Sequence, residues 1–220
     1  MSALGYLRRT PSAGLLLVQL VGIFLYPWME TSPGGRAAFG AFGLLVLGVA
    51  LRVVRRSPWL TWLALVLAAL VVALSVVHAV SPHRASPIAI ALVESAFYFY
   101  ATGSLIAYML RDWVATTDEL FAAGATFTLL AWAFAYAYAA SEAIRPGSFS
   151  APINPAGPRT WMELLYVSVA VLSGVGLSDI LPVTGMARAL VMLESFAGVM
   201  YIALVVSRLI ALTALTRDRS

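Results

Sequence analysis

A short polar segment interrupts the apolar C-terminal part of this 220-residue chain. It reads VLSGVGLSDILP from Val171 to Pro182 and contains two glycines, two serines and one carboxylate, Asp179. Serine chemistry needs a base beside the hydroxyl, and Ser173 with His78 is only a faint pair of this kind, so no enzyme is predicted. Glycine adopts backbone angles closed to other residues, whereas small residues also let membrane helices approach. The segment is therefore either a functional loop or a packing contact.

The elements around this segment belong to a membrane protein. Hydrophobic residues make up 61% of the chain and charged residues 11%, and the mean hydropathy is +0.90. A soluble domain usually carries about 25% charged residues, so the chain has more apolar surface than one globular core buries. The net charge of +4 is the balance of 14 arginines, with no lysine, against 10 acidic residues, and most of the arginines lie at the ends of apolar runs. This pattern indicates span ends rather than a nucleic-acid surface.

Six segments are long and apolar enough to span a bilayer, which takes about 20 residues. They are Ser12–Trp28, Ala37–Val54, Trp59–Val80, Pro87–Leu110, Glu119–Ile144 and Gly185–Leu212. A further apolar piece, Trp161–Leu172, is too short to span and is expected to be a re-entrant or half-buried helix. The positive N-terminus and first apolar run resemble a signal peptide without a clear cleavage site, so a retained anchor is expected.

The arginines predict the orientation of these spans. One side has nine: Arg8, Arg9, Arg52, Arg55, Arg56, Arg111, Arg208, Arg217 and Arg219. The other side has five: Arg36, Arg84, Arg145, Arg159 and Arg188. Because basic residues favour the cytoplasmic side, both termini are predicted to be cytoplasmic in a multi-pass protein of the cell membrane.

The order of elements resembles the pore of tetrameric cation channels: a span, an outside loop, a short helix, a glycine-rich segment and a long last span. Gly174–Asp179 aligns with the potassium channel signature Thr-Val-Gly-Tyr-Gly and its usual trailing Asp. The segment that follows resembles the post-filter turn and inner helix of bacterial two-pore-helix and six-span potassium channels. The residues of this flanking match are Asp179, Ile180, Pro182, Ala187, Arg188, Glu194, Gly198, Tyr201 and Arg208. The whole resemblance covers roughly Glu119–Leu212, and the flank is its stronger half.

The resemblance implies a selectivity filter and a way of binding ions. The filter would consist of Ser173, Gly174, Val175, Gly176, Leu177, Ser178 and Asp179. Potassium or sodium would bind through the backbone carbonyls of Gly174, Val175, Gly176 and Leu177, which replace the hydration shell of the ion. Each chain would supply one quarter of the ring, so a homotetramer in membrane lipid is expected. Apart from the permeant monovalent cations, no cofactor is expected.

The filter segment departs from the family signature at several positions. Gly176 keeps its place, whereas Gly174 replaces the threonine and Leu177 replaces the tyrosine. Ser178 replaces the second glycine, which would cost about 1 kcal/mol if that position needs a positive φ. No aromatic residue stands at the pore-helix positions that brace the filter in relatives. A less stiff filter is predicted, with altered potassium selectivity or low conductance.

Two carboxylates and one glycine within the spans are further candidates. Glu194 would tune cation occupancy or sense protons behind the filter, or else form a structural hydrogen bond to a hydroxyl of the pore helix or of a neighbouring chain. Gly198, about 20 Å into the last span, would be a bending point for gating or a site of close helix packing. Glu94 is expected to pair with His78 or Arg84, or to make another polar contact within the first four spans.

The predicted architecture is all-α, with six spans and a re-entrant pore helix and filter between the fifth and sixth, as in tetrameric voltage-gated-like channels. Residues 1–112 would form a voltage-sensor-like bundle and residues 113–220 the pore domain. The fourth span lacks arginines, so voltage gating by an arginine-bearing helix is not expected. A transporter should show broken helices at matching positions in both halves of the chain, whereas this sequence contains one short half-helix, Trp161–Leu172. The serious alternative is a non-conducting scaffold or regulatory subunit with a decayed filter.

Overall fold

A computed structural model describes residues 10–30, 33–54, 61–81, 86–110, 116–155, 157–208 and 210–211. The orientation assigned above rests partly on residues that lie outside these ranges: Arg8, Arg9, Arg55, Arg56, Arg84, Arg111, Arg217 and Arg219. The side chain of Arg36 is not described either, and Leu212, the expected end of the last span, also lies outside.

The described residues are almost entirely helical, as predicted. The long helices are α1 (Pro11–Glu30), α2 (Pro33–Val54), α3 (Thr61–Val80), α4 (Pro87–Met109) and α5 (Thr117–Ile144). They are followed by β1 (Phe149–Ser150), α6 (Trp161–Leu172), β2 (Leu181–Pro182) and α7 (Gly185–Tyr201). Helix α7 continues as a π-helical turn over Ile202–Val206.

Five helices are long and apolar enough to cross a membrane within the described ranges, one fewer than the sequence predicts. They are α1, α3, α4, α5 and α7 with its π-helical continuation. In α2, the apolar stretch whose side chains are described is Phe42–Val54, which is shorter than the span predicted there. Helix α6 has the predicted bounds, Trp161–Leu172.

The chain divides into two compact units. The first contains Met1–Ala68, Tyr100–Thr128 and Val205–Ser220. In this unit α1 packs closely on α2. The contact is closest at Gly22, where an added Cβ would lie 2.0 Å from the Phe42 ring. The Asp118 carboxylate at the start of α5 accepts the backbone N–H (3.0 Å) and hydroxyl (3.1 Å) of Ser12 and the Tyr108 hydroxyl (3.3 Å). One buried acid therefore ties the N-terminus of α1 to α4 and α5.

The second unit contains Ala69–Phe99 and Leu129–Leu204, and so includes the whole candidate filter. The Ser95 hydroxyl of α4 donates to the Ala133 carbonyl of α5 at 2.9 Å. Strands β1 and β2 pair antiparallel, with Phe149 opposite Pro182 and Ser150 opposite Leu181. The two strands join the loop after α5 to the segment that precedes α7.

Candidate functional site

A set of polar contacts fixes the beginning of α6. The Thr160 hydroxyl accepts the Glu163 N–H at 3.3 Å, and the Glu163 carboxylate accepts the Thr160 N–H at 2.6 Å. Arg159 adds an ion pair to Glu163 at 3.2 Å. The free N–H groups of a first helical turn need such partners, and a cap of this kind is worth about 0.5–2 kcal/mol.

Aromatic rings hold the same end of α6 against α5. The ring of Trp161 lies 5.0 Å from that of Trp132 and 5.5 Å from that of Tyr136. Tyr98 of α4 extends the cluster, because its ring lies 5.6 Å from that of Trp132 and 5.5 Å from that of Tyr136. Aromatic pairs at these distances add about 0.5–1.5 kcal/mol beyond their burial. The sequence shows these aromatics but not their mutual contacts, because the pairs lie up to 38 residues apart.

The backbone turns sharply where α6 ends. The N–H of Gly174 donates to the Val171 carbonyl at 3.0 Å, and the N–H of Gly176 donates to the Ala170 carbonyl at 2.9 Å. Both glycines have left-handed backbone angles, with φ of +73° and +67° respectively. A residue with a side chain would be strained at either position, so the glycines are required by the path of the chain.

These two hydrogen bonds also orient the carbonyls of the loop. In a planar trans peptide, the C=O of one residue points opposite to the N–H of the next, and the described residues contain no cis bond. Because the Gly174 and Gly176 N–H groups point back to α6, the carbonyls of Ser173 and Val175 point away from it. The side chains of Val175 and Leu177 are 63% and 72% exposed, respectively.

Ser178 occupies its position in the loop without a left-handed backbone. Among the described non-glycine residues a positive φ occurs at Asn154 and not at Ser178. The cost of about 1 kcal/mol expected for a serine with positive φ therefore does not arise. The Ser178 hydroxyl accepts the Ile180 N–H at 3.1 Å and lies 3.2 Å from the Ile180 carbonyl. The Ser178 N–H donates to the Gly176 carbonyl at 3.0 Å, so one expected ion ligand already accepts a hydrogen bond within the chain.

The segment after the candidate filter is held by the small β-sheet. The Val183 N–H donates to the Ser148 carbonyl at 2.8 Å, and the Thr184 hydroxyl donates to the Ser148 hydroxyl at 3.2 Å. The Glu142 carboxylate accepts the N–H groups of Gly147 and Phe149 at 2.9 and 3.1 Å. The exposed loop therefore runs between two fixed points, the end of α6 and the β-sheet.

Glu194 of α7 is fully buried and contacts two other helices. Its carboxyl oxygens lie within hydrogen-bond distance of the Tyr138 hydroxyl of α5 and the Ser168 hydroxyl of α6. The Ser168 hydroxyl also lies 2.8 Å from the Ala131 carbonyl of α5. A hydroxyl contact with α6 was among the expectations for Glu194, whereas the sequence contains no signal that would single out Tyr138.

Gly198 lies on the same face of α7, one turn after Glu194. A Cβ at this position would lie 2.2 Å from the Leu172 carbonyl oxygen and 3.0 Å from its carbon. Gly198 therefore allows α7 to touch the last residue of α6, which is the close-packing role considered for it. Its role as a bending point stays a prediction, although the π-helical turn begins four residues later.

An open pocket of about 250 Å³ lies where the loop, the end of α6 and α7 meet. Its lining residues are Val171, Leu172, Ser173, Gly174, Gly176, Ser195, Val199 and Ile202. Glu194 is absent from this lining, because it lies on the face of α7 that packs against the neighbouring helices. Among the residues described, no group of three His, Cys, Asp or Glu side chains is arranged to hold a metal ion.

The hydrogen-bond partner of Glu94 differs from the expected ones. Its carboxylate forms a side-chain hydrogen bond with Tyr136 of α5. Arg84, one expected partner, lies outside the described residues, and the buried Nδ1 atom of His78, the other, has no hydrogen-bond partner. The observed contact joins Glu94 of α4 to the fifth helix, outside the first four spans in which its partner was expected, and to the aromatic cluster at the start of α6.

Comparison with known proteins yields one family. The family model described as "Ion channel" matches residues 95–214, which is more than half of the chain. No curated protein and no solved structure matches the chain. The matched region contains α5, α6, the glycine loop and α7, and Glu94 lies directly before it.

Proposed function

Because the chain belongs to the ion channel family, within the potassium channel superfamily, we propose that it conducts monovalent cations through the loop after α6. The chain is a multi-pass membrane protein, and its family is not a class of enzymes. The cations that we propose are potassium and, because the filter is altered, sodium. No bound cofactor is part of the proposal.

One observation carries this proposal: the left-handed glycines Gly174 and Gly176 direct their N–H groups toward α6. The carbonyls of Ser173 and Val175 are thereby turned away from the helix, and that of Val175 is one of the proposed ion ligands. We propose that cations are bound by the carbonyls of Gly174, Val175, Gly176 and Leu177, with Asp179 at the outer mouth. The carbonyl end of α6 leads into this loop, and the negative end of its dipole favours a cation nearby.

We propose that four copies form the pore, with α6 as a re-entrant helix in a six-span subunit. In this arrangement residues 1–112 form the peripheral bundle and residues 113–220 the pore domain. Helix α7 supports the assembly, because large apolar side chains cover its outer face. Those of Met192, Phe196 and Val199 are each about two-thirds exposed in the single chain. They would face neighbouring copies, the pore or lipid.

Gating by an arginine-bearing fourth helix is not part of the proposal, because α4 (Pro87–Met109) contains no arginine. Glu194 and Gly198 are the proposed pore-tuning residues, since both lie where α7 packs against α6. We place the protein in the cell membrane with both termini in the cytoplasm, following the distribution of arginines.

Ion flux into liposomes tests the proposal. Vesicles containing the purified protein should take up potassium faster than protein-free vesicles, and a sodium gradient should show how selective the filter is. Gly176→Val should lower the flux at least about tenfold, because valine cannot adopt the required φ. Gly43→Ala is the matched control, since a Cβ there meets no atom within 4 Å. Absence of flux for both ions, from an intact oligomer over a range of pH, would reject conduction.

The hydrogen bond from Ser178 N–H to the Gly176 carbonyl favours a second candidate function. A filter whose carbonyl is occupied by its own chain would suit a non-conducting scaffold or regulatory subunit. The double variant Leu177→Tyr/Ser178→Gly restores the family signature at both positions. Conduction by this variant together with a silent native protein would support the scaffold, whereas conduction by both would support the channel.

A further inference from the structure

The contacts between Glu194 and Ser168 indicate which group carries each proton. The Ser168 hydroxyl lies within hydrogen-bond distance of both Glu194 and the Ala131 carbonyl. A serine hydroxyl carries one proton, so it cannot donate to two acceptors at once. If the Glu194 carboxyl group carries a proton, it donates to Ser168, and Ser168 donates to Ala131. The Tyr138 hydroxyl then donates to the other oxygen of Glu194, so every contact is a hydrogen bond.

We infer that Glu194 is an uncharged positioning residue that holds α6, and with it the glycine loop, through hydrogen bonds to Ser168 and Tyr138. This inference rests on the proposed function, and it specifies how Glu194 acts on the pore. Glu194 acts by geometry and supplies no charge to the ions, because its side chain is fully buried and lies outside the pocket lined by Ser195 and Val199.

The position of Ser168 explains why this contact matters for the loop. Ser168 lies one turn before Leu172, the last residue of α6, and two residues before Ala170, whose carbonyl accepts the Gly176 N–H. A shift of this part of α6 would therefore move the acceptor that sets the backbone at Gly176. The contacts of Glu194 also join three helices, α5, α6 and α7, at a single point.

The test uses a thiol probe in the loop, because the chain contains no cysteine. Leu177→Cys introduces one at a side chain that is 72% exposed, and its rate of modification by a water-soluble maleimide reports the position of the loop. Glu194→Leu should change this rate about fivefold or more, as expected for the loss of a buried hydrogen bond. Ser168→Ala should act in the same direction, and it is informative even if Glu194→Leu does not fold.

Glu194→Gln is the decisive variant, because the glutamine amide offers an N–H donor to Ser168 and an acceptor oxygen to Tyr138 and carries no charge. It should preserve the modification rate within about twofold, as should the control Gly185→Ala on the same helix, where a Cβ meets no atom within 4 Å. A Glu194→Gln protein that behaves like Glu194→Leu would overturn the inference. Unchanged modification rates in both Glu194→Leu and Ser168→Ala would also overturn it. The readout needs no ion flux, so a silent native protein would reject conduction without affecting this result.

Discussion

Replacing Gly198 with alanine places a methyl group where the backbone of α6 already lies. The new Cβ would be 2.2 Å from the Leu172 carbonyl oxygen, 3.0 Å from its carbon and 3.1 Å from its Cα. All three are backbone atoms, so no side-chain rotation relieves the overlap. Contacts between carbon and oxygen normally lie near 3.5 Å, so α6 and α7 must separate by about 1 Å at this point.

Overpacking of this kind typically costs about 1–3 kcal/mol, and occasionally more. For a chain of about 220 residues this corresponds to a fall in melting temperature of roughly 2–10 °C. The displacement also acts at Leu172, directly before Ser173 and Gly174, so the loop should move with it. Ion selectivity should then weaken together with stability, because the carbonyl positions depend on the end of α6.

The assay is a thermal melt of the purified oligomer in detergent, followed by potassium and sodium flux for each variant. The matched control is Gly185→Ala on the same helix, because a Cβ at Gly185 meets no atom within 4 Å. The control should stay within about 0.5 kcal/mol of the native protein. A Gly198→Ala protein that melts and conducts like the control would refute the close contact between α7 and Leu172.

Three further substitutions test other contacts. Gly176→Ala should cost about 1–2 kcal/mol in a thermal melt, because its φ is +67°; an unchanged melting temperature would mean that the loop has another path. Asp118→Ala should destabilise the protein by about 1–3 kcal/mol, since the two buried donors of Ser12 and the part-buried Tyr108 hydroxyl lose their acceptor. Asp118→Asn, which keeps one acceptor oxygen, should cost less, and equal losses would argue against this reason. Thr160→Ala should cost about 0.5–2 kcal/mol through loss of the α6 cap, and an unaltered melt would show that Arg159 and Glu163 suffice.

Local patterns allowed much of the fold to be predicted. Long apolar runs predict helices because a bilayer leaves few alternatives for the backbone, and α6 was predicted with its observed ends. The need for glycine at Gly176 could also be predicted from the local sequence, because a left-handed backbone angle is a property of one residue and not of a contact between distant residues. The number of spans was less predictable. For α2 the described side chains begin at Phe42, and the apolar stretch Phe42–Val54 by itself is shorter than a span.

Contacts between distant residues were the part that sequence could not supply. Glu194 meets Tyr138 across 56 positions, and no periodicity in either helix specifies which residues of the two will face each other. Glu94 was expected to pair with His78 or Arg84 or to make another polar contact within the first four spans, but its carboxylate hydrogen-bonds with Tyr136 of the fifth helix. A buried carboxyl group needs hydrogen-bond partners, and a phenol hydroxyl supplies one as a basic residue would.

The reversal potential of the protein in a planar bilayer tests cation conduction most directly. With a tenfold gradient of potassium chloride, a pore that passes only monovalent cations reverses at about 59 mV with the sign set by potassium. We predict this potential for the native protein, and a smaller potential of the same sign when sodium replaces potassium on the concentrated side, because sodium permeates less readily than potassium. A reversal potential near zero or of chloride sign, or no current from an intact oligomer, would contradict the account.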